Sequence, residues 1–131
     1  MDCYDPHQAP NTEEWLALDE AERIGLVQAY HRRARIQLPN QRLHAAIHAI
    51  VENQIAVGDE LPVRRKLAML MREGLDRHQA VHAIGCALGG LIYDLMKGEG
   101  AAVYADERYY EELSKLTAAS WRADHSDPNA E

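Results

Sequence analysis

The chain has 131 residues, of which 47% are hydrophobic and 27% charged, and its formal net charge is −7. This length fits a single domain, and the composition is that of a folded protein rather than a disordered chain. Nucleic acids and anionic membrane surfaces bind basic proteins, so the acidic balance argues against both as partners.

No targeting or spanning segment is expected. The chain contains no apolar run long enough to cross a bilayer, and its first 14 residues lack the basic and apolar parts of a signal peptide. The two cysteines, Cys3 and Cys86, do not make a disulfide framework. We therefore expect a cytoplasmic protein.

Helical spacing and helix-ending residues recur along the chain, which predicts an all-α fold, a compact bundle of about five helices. A short turn begins at Asn11 or Thr12. The predicted helices then run over residues 19–35, 40–57, 62–73, 76–97 and 106–116. We expect one domain over residues 1–131, with loose termini at about 1–10 and 124–131.

The ends of these helices are marked by particular residue types. Asp19 with Glu22, and Asp76 with Gln79, have the spacing of capping boxes. Asp106 is a candidate cap for the last helix. Glycines end three of the helices because they adopt positive φ without strain: Gly58, Gly74 and Gly98.

Two His-x-x-x-His pairs, His44/His48 and His78/His82, are the most informative feature of the sequence. Seven histidines placed at random would give roughly 0.4 such pairs. Residues four apart on a helix differ by about 40° around its axis and about 6 Å along it, so both rings of a pair can face one ion. Neutral imidazole is a good ligand for zinc, iron or nickel. The pairs predict a divalent transition-metal site.

The pairs also lie on apolar faces of their helices. His44 and His48 share a face with Val51, and His78 and His82 share one with Gly85 and Gly89, which would allow close approach of the helices. An unpaired buried polar group costs roughly 1–3 kcal/mol, so imidazoles on such faces need partners. If successive helices run up and down the bundle, the rise per residue places the two pairs within about 7 Å of each other along the bundle axis.

A buried histidine network without metal, hydrogen-bonded to carbonyls or to Tyr93 and Tyr104, is the main alternative. Glu52, four residues after His48, could be a metal ligand, a general base, an acceptor for an imidazole N–H, or an exposed carboxylate. Cys86, four residues after His82, is interpreted as a small hydrophobic residue rather than a ligand. His31 could reach the site from the preceding helix, but it stands at a helix end and is interpreted as a surface residue.

The stretches LHAAIHAIVENQ at 43–54 and EGLDRHQAVHAIG at 73–85 resemble an uncharacterised bacterial family, domain of unknown function 1841. The resemblance covers roughly residues 39–97. It implies a small helical bacterial protein whose functional set matches His44, His48, His78 and His82. It implies no reaction, and it leaves the role of Glu52 open.

Two classes of function fit these residues. In a metalloenzyme or an oxygen-handling bundle, the ion keeps an open position and Glu52 acts as a base or bridging carboxylate. In a structural or interaction module, four histidines saturate the ion. The chain lacks the motifs of phosphate-binding loops, serine esterases, dithiol oxidoreductases and zincin proteases. The wide apolar arc of the helix at 76–97 predicts a homodimer, or else a central helix.

Overall fold

The computed structural model describes residues 1–38, 40–98 and 105–124, and this part of the chain contains α helices and no β strand. The all-α class is therefore confirmed. Seven helices are found there rather than about five: α1 Thr12–Ala17, α2 Glu20–Arg33, α3 Gln41–Val57, α4 Val63–Arg72, α5 Arg77–Met96, α6 Ala105–Lys115 and α7 Ala118–Asp124.

The two additional helices are short and carry buried tryptophans. In α1 the Asn11 side chain caps the Glu14 N–H, and Trp15 is fully buried. In α7 the N–H of Ser120 donates to the Thr117 hydroxyl oxygen at 3.0 Å, which starts a new helix where α6 has ended. Short amphipathic turns such as these depend on tertiary burial for stability.

The predicted capping boxes are both present. Asp19 and Glu22 cap each other's backbone at the start of α2, and Asp76 and Gln79 do so at the start of α5. The three expected glycines follow their helices with positive φ: 101° at Gly58, 107° at Gly74 and 77° at Gly98. The cap predicted at Asp106 is wrong, because Asp106 lies in the first turn of α6, which begins at Ala105.

Helices α3 and α5 together form the centre of the bundle: α5 packs against α3, α4 and α6, and α3 packs also against α1, α2 and α4. Helix α3 lies between two apolar clusters. Its residues Val51 and Ile55 join the larger cluster with α4 to α7, and Ala45 and Ala49 join a smaller one with Tyr4 and others. The histidines of α3, His44 and His48, lie one to two turns before Val51 on the same helix.

The expectation that no segment could span a bilayer does not hold for α5, which by length and composition alone could cross a membrane. Within its apolar stretch of 18 residues, 44% is buried in the bundle. The core helix of a soluble protein can have the same length and composition. Helix α5 packs against three neighbours. A central position in the monomer is one of the two explanations that the sequence offered for its wide apolar face. The homodimer stays a prediction.

Glycines on α5 let it approach α3 closely, as the sequence indicated. A Cβ built on Gly85 would lie 3.3 Å from Cγ2 of Ile47, and one on Gly89 would lie 3.4 Å from Cδ1 of the same side chain. At Gly90, by contrast, a Cβ would have no neighbour within 4 Å. The small residues therefore matter for packing at positions 85 and 89, but not at 90.

We expect Gly90→Ala to raise the free energy of unfolding by about 0.5–1 kcal/mol, because alanine loses less backbone entropy than glycine in a helix. Gly85→Ala should raise the free energy of unfolding by less than this, or lower it, because Ile47 must move by a few tenths of an ångström to admit the methyl group. Urea unfolding of the two variants measures the difference. Equal stabilisation by both would contradict the close approach of α3 and α5.

Candidate metal centre

Five histidine rings from three helices meet where α2, α3 and α5 come together. His48 is central: its ring centroid lies 5.0 Å from that of His44, 5.3 Å from His31 and 5.4 Å from His78. The rings of His44 and His82 are also 5.4 Å apart. The expectation that the two His-x-x-x-His pairs lie close together is met.

The nitrogen atoms of these rings form two groups of three that could each hold an ion. One group is His31, His48 and His78, and the other is His44, His48 and His82; within each, the ligand nitrogens lie within 4.8 Å of one another. We call them the first and the second triad. Both draw on His48, and each takes one residue from α5 and at least one from α3.

The spacing of the rings is close to what one ion requires. Zinc binds imidazole nitrogen at about 2.0–2.1 Å, so two rings on one tetrahedral ion have centroids about 5 Å apart. Two of the three separations in the first triad are 5.3 and 5.4 Å, and the third, His31 to His78, is 6.2 Å. In the second triad they are 5.0, 5.4 and 6.4 Å. Small side-chain rotations would complete either site.

The interpretation of His31 as a surface residue is wrong. His31 is only 3% exposed, and its ring lies against those of His44 and His48. It follows Val27 by one helical turn on the buried face of α2, and that spacing was the signal in the sequence that could have identified it. The first triad therefore includes a residue from outside the two predicted pairs.

Glu52 is buried, at 1% exposure, but it belongs to neither triad. Its two carboxylate oxygens each accept a hydrogen bond of 2.8 Å from the guanidinium of Arg77, and the hydroxyl of Tyr4 donates to Oε2. A buried carboxylate is stable when a guanidinium satisfies both oxygens, and this geometry provides that. This ion pair joins α3 to α5. Glu52 lies one turn after His48 on α3, and Arg77 lies one residue before His78 on α5.

The first residues of the chain cover this ion pair. Tyr4 is fully buried, packs on the ring of Trp15 at 5.6 Å, and accepts a hydrogen bond from Arg33 at its carbonyl. Pro6 is buried too, and its carbonyl accepts from Arg77 at 3.0 Å. The segment expected to be a loose terminus is thus attached to α2, α3 and α5 over residues 4–6.

Burial raises the pKa of Tyr4 well above its usual value, and the neighbouring negative charge of Glu52 raises it further. An unfolded tyrosine ionises near pH 10, whereas the folded protein holds the proton at that pH. The protonated Tyr4 therefore contributes its full share to the free energy of unfolding below about pH 9. As the pH rises beyond 10 this contribution is lost, by up to about 1.4 kcal/mol per pH unit for one group.

This predicts a pH-dependent difference between the native protein and Tyr4→Phe. The free energy of unfolding of the native protein should fall more steeply between pH 9 and 11 than that of the variant, which has no proton to lose at position 4. Urea unfolding at several pH values measures both curves. Parallel curves would mean that Tyr4 ionises as freely in the folded as in the unfolded chain.

Other residues singled out in the sequence lie at the edges of this cluster. Cys86 is exposed rather than buried, and its Sγ lies 3.4 Å from Nε2 of His82. Cys86 belongs to neither triad. Tyr93, a suggested partner for the histidines, is 58% exposed. Tyr104, the other suggested partner, and the C-terminal tail from residue 125 lie outside the described residues.

Comparison with known proteins adds no function to this geometry. The resemblance to domain of unknown function 1841 stays a prediction. No protein-family model, curated protein or solved structure matches the chain.

Proposed function

We propose that the protein binds a divalent transition metal in the histidine cluster, at the first or the second triad. The observation that carries this proposal is the convergence of five imidazoles from three helices, with two sets of three nitrogens each within 4.8 Å. Imidazoles are rarely gathered on apolar helix faces without a shared partner, and a metal ion satisfies several at once.

The donor atoms favour zinc, iron or nickel over calcium or magnesium. Both triads offer only neutral nitrogen ligands, whereas calcium and magnesium prefer carboxylate and carbonyl oxygen. Glu52, the one carboxylate of α3, has its oxygens bound to Arg77 and Tyr4. A base or ligand role for Glu52 would require it to leave this ion pair.

The shared residue His48 limits how many ions the cluster holds. A neutral imidazole has one lone pair, so His48 serves one ion at a time; two ions would require it to lose its remaining ring proton and bridge them. We therefore expect one ion per chain, or two if His48 bridges. Three protein ligands leave the fourth position of a tetrahedral ion for water, a substrate or a further side chain, and what fills it decides between an open catalytic site and a closed structural one.

Metal analysis of protein purified without an affinity tag tests the proposal. We expect close to one equivalent of zinc, iron or nickel per chain, or two with a bridging His48. A strong chelator should remove the ion, and readdition should restore it. Preparations that contain no metal, and that bind none of these ions when titrated with them, would contradict the proposal and favour the buried histidine network.

A further inference from the structure

A sixth histidine, His7, lies beside the first triad on the N-terminal segment. Its ring centroid is 5.4 Å from that of His78, the separation expected of two rings that share a tetrahedral ion. It is also 6.4 Å from the ring of Tyr30, which itself packs on His31 and His78. His7 therefore lies beside one member of the first triad, His78, although its own nitrogens are not among the three that lie within 4.8 Å of one another.

The residues just before His7 are held in place by two buried anchors. Residues 3–8, which we call the N-terminal arm, are anchored by the Tyr4 hydroxyl on Glu52 and by the Pro6 carbonyl on Arg77. Both anchors are buried, and the last of them precedes His7 by one residue. His7 itself keeps 48% of its side chain exposed, so its ring has room to turn toward the cluster.

Asp5 lies where a carboxylate favours the His7 tautomer that a metal ligand needs. The Asp5 Oδ1 atom accepts from the His7 backbone N–H at 3.0 Å and lies 3.1 Å from the ring nitrogen Nδ1. A carboxylate at this nitrogen favours a proton on Nδ1, which leaves the lone pair on Nε2. Histidines that bind metals are commonly supported by a carboxylate in this way.

We propose that His7 is the fourth protein ligand of an ion bound by His31, His48 and His78, and that the N-terminal arm brings it there. This proposal rests on the proposed metal binding. It adds that His7 and the first triad together form a four-histidine site, with one ligand each from the arm, α2, α3 and α5. It also predicts that the ion prefers the first triad over the second, to which the arm contributes no ring.

The proposal is tested in protein that retains only the first triad. His44→Ala/His82→Ala removes two ligands of the second triad and leaves the first intact. In this background we measure the affinity for zinc by competition with a chromophoric chelator. We also record the visible spectrum of the cobalt(II)-loaded protein, because the absorption of cobalt reports its coordination number.

His7→Ala should weaken zinc binding by about tenfold or more and change the cobalt spectrum, because a water replaces a protein ligand. Asp5→Asn should weaken binding by about tenfold while the cobalt spectrum stays close to that of the parent. Gln8→Ala, an exposed neighbour on the same arm, is the matched control and should change neither measurement.

Unchanged affinity and an unchanged cobalt spectrum in His7→Ala would overturn the role of the arm while leaving metal binding in place. Failure of the parent to bind zinc or cobalt, although circular dichroism shows it folded, would overturn the first triad as a site and His7 with it. If the unsubstituted chain also binds no metal, the proposed function fails as well. The two proposals are thereby distinguished.

Discussion

Replacing His44 and His78 together by alanine is expected to abolish metal binding. Each substitution removes one ligand from a different triad, so that both triads are left with two histidines. The triads by themselves then offer two imidazoles each, half of a four-coordinate shell, and the affinity should fall by orders of magnitude; with His7 as a further ligand the first triad keeps three, without the neighbouring His78 ring. Metal content after purification, and zinc titration of the chelator-treated variant, measure the loss.

The single variants make this experiment specific. His44→Ala leaves the first triad intact and His78→Ala leaves the second, so each should still bind one ion. His48→Ala should resemble the double variant, because His48 is shared by both triads. Circular dichroism checks that every variant remains helical. Full metal content in the double variant would show that the ion binds elsewhere or through other residues.

Removing one partner of the buried ion pair is expected to cause the largest loss of stability. Arg77→Met leaves the Glu52 carboxylate, which is 1% exposed, without its guanidinium, and breaking a buried pair in this way typically costs about 3–5 kcal/mol. Arg77 also donates to the Pro6 carbonyl, so the N-terminal arm loses an anchor at the same time. Urea unfolding measures the change in the free energy of unfolding.

Two controls separate the buried charge from a general effect of the substitution. Glu52→Gln/Arg77→Met has no uncompensated charge and should regain part of the loss. Lys115→Met removes an exposed cation that pairs with Glu111 and Glu112 at the surface, and it should cost less than about 0.5 kcal/mol. A loss in Arg77→Met as small as that in Lys115→Met would mean that the pair does not hold α3 and α5 together.

The helices were predictable because their signals are local. A capping box such as Asp76 with Gln79 joins residues three apart, and a glycine such as Gly74 ends a helix through its own backbone. The spacing of His44 and His48 likewise places two rings on one face whatever the rest of the chain does. The short helix α7 was missed because the Thr117 cap is a weak signal without the burial of Trp121.

The amino-acid sequence by itself determined the all-α class, the main helix ends and the two histidine pairs, because these depend on residues within one or two helical turns of each other. Tertiary structure decided that His31, which its spacing from Val27 only places on the buried face of α2, joins the pairs. It also decided that Glu52 binds Arg77, and that the N-terminal arm binds this ion pair and lies beside His78. Glu52 and Arg77 are 25 residues apart, and Tyr4 and Glu52 are 48 apart. The partners of such residues depend on how helices pack, which local spacing does not encode.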